Sequence, residues 1–182
     1  MLNLIFGKKT EKNTEFKDLL AKAYFHIQNR EFDKAVALYN EIHTKYGTLP
    51  ESEKSMKLQG DVTLLFKELT LYMDINEAYV TAGSGDMTLL SKELERIHDL
   101  AYEIPNTEQT ATILEYASEK YKLFLQIYTQ RMDTRHFENL AKKIEKLIHD
   151  KKIKEALFQY SHLLVIYRRL LRSINSEKKV EL

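Results

Sequence analysis

Two segments of this chain, residues 18–46 and 139–167, resemble each other without a gap when one is shifted by 121 positions. The shift places Leu19 on Leu140, and the apolar residues continue to coincide as far as the end of the segment. Within each segment these residues recur at the i, i+3, i+4 spacing of an amphipathic helix, except at a short polar step in the middle. Each segment is therefore predicted to form two antiparallel helices joined by a tight turn. Because one hairpin cannot bury its outer face, such units have to pack against further helices.

The rest of the chain has the same helical spacing, and no stretch alternates apolar and polar residues as a half-buried strand does. Five glycines and two prolines among 182 residues are also too few for a loop-rich all-β fold. The predicted fold class is therefore all-α, with antiparallel helical hairpins stacked into an array or bundle of about six to seven helices. Residues 14–172 are predicted to form one domain, between a flexible or surface-docking segment at 1–13 and a disordered tail at 173–182.

Several helix boundaries are indicated by residues that commonly begin or end helices. Asn13 or Thr14 is suited to cap the first helix, and Pro50 to begin the third. Asp86, which follows the only glycine cluster, is predicted to cap the fourth helix. Whether the later helical pattern runs unbroken through residues 131–137 stays open, because that stretch also contains residues able to cap a new helix.

The two similar segments share a residue pattern just after the polar step. Phe32-Asp33-Lys34-Ala35 leads to Tyr39, and Ile153-Lys154-Glu155-Ala156 leads to Tyr160. The small alanine lets two helix backbones approach, and the tyrosine one turn later fills the groove between them. This pattern resembles the tetratricopeptide repeat, and three-helix domains of the microtubule-interacting-and-trafficking type share it.

The resemblance implies a curved stack of hairpins whose concave face binds a peptide or a partner protein, without enzymatic activity. The chain departs from the family in two respects. It has no tryptophan, and its units are not tandem copies of roughly 34 residues. The expected protein is therefore tetratricopeptide-like but divergent.

Composition excludes several kinds of chemistry. The chain has no cysteine, so disulfides and thiolate-based metal sites are excluded. None of its six histidines forms the HxxxH pair that places two zinc ligands on one helix face. Gly83-Ser84-Gly85-Asp86 lacks the preceding strand and the following lysine of a phosphate-binding loop, so it is predicted to be a turn. Accordingly, no cofactor, metal site or catalytic residue is predicted.

Positive charge is concentrated near the C-terminus. The whole chain has a net charge of +1, but residues 135–182 carry 12 Lys/Arg and 6 Asp/Glu, a net +6, while residues 1–134 carry 16 and 21, a net −5. An acidic protein, a nucleic acid or an anionic membrane would each be attracted to this part of the chain. The candidate residues for binding an anionic partner are Lys142, Lys143, Lys146, Lys151, Lys152, Lys154, Arg168, Arg169 and Arg172.

Other polar residues are weaker candidates for chemistry. Arg131 and His136 have the R-x4-H spacing of HEPN-type nucleases, in which such a pair acts on an RNA phosphodiester and the histidine does acid–base work. One such spacing is expected nearly by chance in a chain with several arginines and histidines, so a plain structural role is favoured. Paired acids such as Glu93 with Glu95, and Asp74 with Glu77, are predicted to lie on exposed helix faces.

These observations predict a non-enzymatic interaction module or scaffold that binds another protein or peptide, with an acidic partner favoured by the basic region. The alternatives are a nucleic-acid-binding or RNA-acting helical domain that uses the basic C-terminal third, or a peripheral membrane adaptor. The apolar and then basic segment Met1–Lys9 permits only weak membrane-surface contact, because one short anchor binds marginally. The segment does not have the order of a signal peptide, and with the lack of cysteine this predicts a cytoplasmic location.

Overall fold

A computed structural model describes the backbone of residues 2–177 and the side chains of residues 14–52 and 54–172. Within this part of the chain the fold is all-α, without a strand, which confirms the predicted class. Six α-helices are present, at the lower end of the predicted range. They are α1 (Leu2–Gln28), α2 (Phe32–Thr48), α3 (Met56–Ser84), α4 (Met87–Glu103), α5 (Ala111–His149) and α6 (Ile153–Glu177).

The turns of the two similar hairpins, α1–α2 and α5–α6, have the same backbone geometry. Arg30 in the first and Lys151 in the second adopt left-handed conformations, with φ of 57° and 59°. In each turn this residue donates its N–H to the carbonyl three positions earlier, Arg30 to Ile27 at 2.9 Å and Lys151 to Ile148 at 3.0 Å. The next N–H reaches the carbonyl five positions back at 2.8 Å in both turns. These bonds form a Schellman motif, which ends the first helix of each hairpin at the polar step.

Aromatic packing between the helices is also the same in the two hairpins. The rings of Phe16 and Tyr46 have centroids 5.9 Å apart, and those of Phe137 and Tyr167, 121 positions later, are 6.2 Å apart. Both pairs are inclined at 36°. The two segments therefore form hairpins in the same register, while membership of the tetratricopeptide family stays a prediction.

The helix ends differ from the predicted ones at several places. Helix α1 begins at Leu2 rather than at Asn13 or Thr14, so most of the segment predicted to be flexible has a helical backbone. A short 3-10 helix at Glu51–Glu53 follows Pro50, and α3 begins only at Met56. The N–H of Leu58 there donates to the Ser55 hydroxyl at 3.2 Å, so a serine caps this helix.

Two regions towards the C-terminus are helical, one where the sequence left two alternatives open and one where it predicted a disordered tail. Helix α5 runs unbroken through residues 131–137. Helix α6 continues to Glu177, so residues 173–177 of the predicted tail have a helical backbone, and residues 178–182 lie outside the described part. Asp86, in contrast, caps α4 as predicted, since its carboxylate accepts the N–H groups of Thr88 and Leu89 at 3.1 and 3.0 Å.

The chain divides into two compact units, and that residues 14–172 form one domain stays a prediction. The first unit comprises the described residues up to Val80 together with Lys92–Lys122, and the second comprises Thr81–Ser91 together with the described residues from Leu123. The first unit has a large apolar core, formed by residues such as Phe16, Ile27, Ile42, Leu65, Leu69, Ile75, Ile97 and Ile113. The second unit contains fewer fully buried side chains, among them Leu90, Phe124 and Ile166.

Candidate functional site

An apolar groove lies on the C-terminal hairpin, where α5 ends and α6 begins. Its volume is about 340 Å³. The Schellman turn positions the two helices, and the small Ala156 lets them approach, so the larger residues around it form the walls. The lining residues are apolar except for one tyrosine hydroxyl, and they are Ile144, Ile148, Ile153, Ala156, Leu157 and Tyr160.

The walls of this groove are exposed to an unusual degree. Ile148 and Ile153 are each 53% exposed, and Leu157 is 64% exposed. Further large apolar side chains on α6 are also exposed, namely Phe158, Val165, Tyr167 and Leu171. Soluble proteins seldom expose a contiguous apolar patch unless it binds something. The groove is therefore the candidate binding site, although the sequence analysis placed no binding residue there.

The sequence did not indicate the groove, because both hairpins have the same apolar pattern. The residues that line it occupy apolar helix positions. The 121-position shift aligns four of them with buried residues of the first hairpin and the other two with half-buried ones. Periodicity shows which face of a helix is apolar, but it does not show whether another helix covers that face.

Part of the predicted basic region borders this groove. All nine lysines and arginines predicted to bind an anionic partner are exposed. Lys151, Lys152 and Lys154 lie in the turn and at the start of α6, beside the groove residue Ile153. None of these three lysines forms an ion pair with a residue that the structure describes. This end of the hairpin therefore combines an apolar groove with unpaired positive charge.

The arginines of the predicted region lie apart from the groove. Arg168 follows Tyr160 by eight residues, which is about 12 Å along a helix. Arg169 is 3.7 Å from the carboxylate of Asp133 on α5, so part of its charge is already compensated within the hairpin. Only the lysines nearest the turn are therefore close enough to contact a ligand in the groove.

The pair predicted from the nuclease spacing lies in the middle of α5. Arg131 and His136 are both exposed. A separation of five residues turns a helix through about 140° beyond one full turn, so the two side chains leave from different faces. The Arg131 guanidinium covers Gly85, 3.0 Å from the position that a Cβ there would take. The nuclease interpretation, in contrast, requires both side chains to face one substrate.

The first unit contains a buried carboxyl group that the sequence analysis did not identify. Glu68 of α3 is fully buried, and neither of its carboxylate oxygens has a hydrogen-bond partner among the residues that the structure describes. Burial raises the pKa of Glu68 to about 8. A signal was present in the sequence, because Glu68 stands one turn after Leu65 and directly before Leu69 on the apolar face of its helix.

Of the four acids predicted to be exposed, Glu77 and Glu95 are exposed, whereas the other two are buried. Asp74 is 7% and Glu93 3% exposed. Asp74 and Glu77 both accept from the Arg96 guanidinium at 2.6 Å, which compensates the cost of burying the Asp74 charge. Pairing with Glu77 raises the pKa of Arg96 still further above its ordinary value. The charge pattern alone did not indicate this contact, because it joins residues of two different helices.

A partly buried tyrosine hydroxyl also makes a polar contact in the first unit. The Tyr24 hydroxyl donates to the Asp61 carbonyl at 2.8 Å, and burial raises the pKa of Tyr24 above its ordinary value. No group of three or more possible metal-ligating side chains occurs among the residues with described positions. These contacts are compatible with a structural role, and they assemble no nucleophile with a base.

Of the segment predicted to touch a membrane, Met1–Lys9, only the backbone from Leu2 onwards is described, so that prediction lies outside what the structure tests. None of the described helices combines the length and the apolar composition needed to cross a bilayer. In comparisons with known proteins, no family model, no curated protein and no solved structure matches this chain.

Proposed function

We propose that this protein is a non-enzymatic interaction module whose C-terminal hairpin binds a partner protein. The observation that carries the proposal is the open apolar groove between α5 and α6. Covering the exposed parts of Ile148, Ile153 and Leu157 removes apolar surface from water, at roughly 25 cal/mol per Å². A groove of this kind typically accepts the apolar face of a helix or a short apolar segment.

The arrangement of polar groups favours binding over catalysis. Glu68, the carboxyl group with the strongly raised pKa, is fully buried in the core of the first unit and does not lie in an open cleft. Arg131 and His136 leave α5 from different faces, so they are not arranged to act on one phosphodiester. The tetratricopeptide-like residue pattern supports the same function, and a chain without cysteine suits the reducing cytoplasm, where we place it.

The proposal is tested by photo-crosslinking with the full-length chain. A photoreactive amino acid is placed at Leu157, in the groove, and in a control protein at Val80, which is also exposed and apolar but belongs to the first unit. The expected result is one abundant protein crosslinked from position 157 and not from position 80 in an extract of the native host. The partner is then identified, purified and mixed with the chain to measure stoichiometry by light scattering.

A stoichiometric complex weakened at least tenfold by Leu157→Gln supports the proposal. Leu171→Gln is the matched control, because it changes an exposed leucine of the same helix outside the groove. Two results contradict the proposal. One is crosslinking that is equal at both positions. The other is crosslinked nucleic acid in place of protein, which would favour an RNA-acting domain.

A further inference from the structure

The groove of the C-terminal hairpin has a covered counterpart in the same chain. Each of its six lining residues stands 121 positions after a residue of the first hairpin. There Phe32 is only 4% exposed, because its ring stacks on Tyr72 of α3 at 4.9 Å and lies 4.8 Å from Tyr116 of α5. The counterpart Ile153 is 53% exposed. In this chain, then, the natural occupant of such a groove is the apolar and aromatic face of a helix.

A second aromatic contact extends the same comparison along the hairpin. Tyr39, the counterpart of Tyr160, lies 5.4 Å from the ring of Phe66 on α3. Phe66 and Tyr72 are six residues apart on that helix, so the covering helix contacts the hairpin over almost two turns. An occupant of the open groove therefore needs at least two helical turns to reach from Ile153 to Tyr160.

The charges around the covered groove indicate what the occupant carries at its edge. Helix α5 also covers this groove, since it contributes Tyr116, and the same helix carries two acids one turn apart. Arg30, in the turn of the first hairpin, pairs with these acids, Glu115 at 3.0 Å and Glu119 at 3.2 Å. Its counterpart Lys151 has the same left-handed backbone conformation but no acid facing it within the described part of the chain. A pair of carboxylates on an occupying helix would supply the missing contact.

A charged position three residues later strengthens this requirement. In the first hairpin Asp33 accepts a hydrogen bond from the Tyr72 hydroxyl at 2.8 Å. Its counterpart in the second hairpin is Lys154, so an acceptor on the hairpin has been replaced by a donor. A carboxylate on the incoming helix is the complementary group for this lysine.

We propose that the groove binds an amphipathic helix of a partner protein, one with an apolar or aromatic face and acidic residues a turn apart along one edge. This inference rests on the proposed function and names the class of partner. The apolar face covers Ile148, Ile153 and Leu157, and the acidic edge meets Lys151 and Lys154. Affinity comes mainly from the buried apolar surface, whereas the charges determine orientation and exclude basic helices.

A second copy of this chain is a less suitable occupant. In a symmetric pair of hairpins the same surface meets itself, so the net positive charge of residues 135–182 would be present on both sides of the interface. Like charges facing each other across an interface oppose association. Charge complementarity therefore favours a different, acidic partner over self-association through this face.

The experiment uses the full-length protein and two synthetic peptides of 18 residues. Both are amphipathic helices with leucine and phenylalanine at every third and fourth position. One has glutamate along the edges and the other lysine at the same positions. Affinity is measured by fluorescence anisotropy of the labelled peptides at low and at physiological salt. We expect the glutamate peptide to bind with one-to-one stoichiometry and at least tenfold more tightly than the lysine peptide.

Variants assign the binding to the groove and its lysines. Leu157→Gln is expected to lower the affinity for the glutamate peptide at least tenfold, while Leu171→Gln leaves this affinity unchanged. The double variant K151E/K154E is expected to reverse the preference, so that the lysine peptide binds more tightly. All four residues are exposed, so the variants fold, and circular dichroism verifies this.

Three results would overturn the inference. Equal binding of the two peptides means that the charges do not select the partner. Binding that survives Leu157→Gln means that the groove is not the site. Concentration-dependent dimers that Leu157→Gln converts to monomers mean that the groove is occupied by a second copy. In the first case the proposed function still stands if the crosslinked partner binds through Leu157, so the two proposals fail separately.

Discussion

At the scale of single residues, Glu68 makes the stability of the fold depend on pH. The carboxyl group ionises at an ordinary pKa near 4.5 in the unfolded chain and at about 8 in the folded protein. Between these values the folded state holds a proton that the unfolded state has released. The unfolding free energy is therefore highest below the lower pKa. It falls as the pH rises through the higher pKa, by up to ~1.4 kcal/mol per pH unit.

The substitution Glu68→Gln tests this dependence, because glutamine keeps the shape of the neutral acid but cannot ionise. We expect the parent protein to lose a few kcal/mol of unfolding free energy between pH 5 and 8, or roughly 1.4 kcal/mol for each unit at most. The glutamine variant should lose much less over the same range. Urea unfolding at several pH values measures both.

Glu95→Gln is the control for this prediction, since Glu95 lies exposed on α4. Its unfolding free energy should follow that of the parent at every pH. If the Glu68 variant also follows the parent, the carboxyl group is hydrated in solution and its burial does not govern the stability.

At the scale of helices and hairpins, the sequence predicted those features that depend on neighbouring residues in the chain. The polar step of each hairpin, the two helices beside it and the Asp86 cap all follow from residues within a few positions of one another. The start of α1 at Leu2 was not predicted, because Gly7 and a run of polar residues interrupt its apolar pattern. The unbroken course of α5 was left open, since Asp133 is able to cap a helix but lies inside one.

Long-range contacts explain the remaining differences between the sequence-based predictions and the structure. The Arg96 contacts that bury Asp74, and the difference in exposure between the two hairpin grooves, depend on which helices meet. The two hairpins have nearly the same apolar pattern, yet only one groove is covered. The candidate site is therefore visible only in three dimensions, although its residues and its lysines were already apparent in the sequence.

Matched isoleucines in the two hairpins provide a direct test of this difference. Ile27 is fully buried and Ile148, 121 positions later, is 53% exposed. We expect Ile27→Ala to lower the unfolding free energy by roughly 2–4 kcal/mol, because it leaves a cavity in a packed core. Ile148→Ala should cost less than about 1 kcal/mol, since its side chain already contacts water.

Thermal and urea unfolding of the two variants measure these costs side by side. The residue type, the helix register and the following turn are the same at both positions, so the comparison isolates the covering helix. Equal losses would mean that the C-terminal groove is closed in solution, by a second copy or by another part of the chain, and would contradict its assignment as an open site.

At the scale of the whole molecule, charge is divided unequally along the chain. Residues 135–182 have a net charge of +6 and residues 1–134 a net charge of −5. Such a distribution attracts acidic partners towards the C-terminal hairpin and speeds their association. It contributes little to folding, because exposed charges interact weakly in water.

The last prediction concerns how this charge acts in binding. We expect the replacement of Lys142, Lys146 and Lys151 by glutamate to lower the affinity for the glutamate peptide, most strongly at low salt. The unfolding free energy should stay nearly unchanged. All three lysines are exposed, and their interactions with a partner are screened beyond roughly 10 Å at 0.1 M salt. A control triple reversal at Lys17, Lys57 and Lys92, which are exposed in the first unit, alters the net charge equally and should have a much smaller effect on affinity.

The salt dependence separates the two classes of anionic partner. A nucleic acid bound through these residues would release counterions, so the logarithm of its affinity would fall steeply with the logarithm of salt, by roughly 0.9 for each neutralised phosphate on a duplex. A helix held mainly by the apolar groove should show a shallower slope and should still bind when the charges are screened. An affinity that is independent of salt and of both triple reversals would mean that the lysines only solvate the hairpin, and the apolar residues of the groove would then carry the recognition alone.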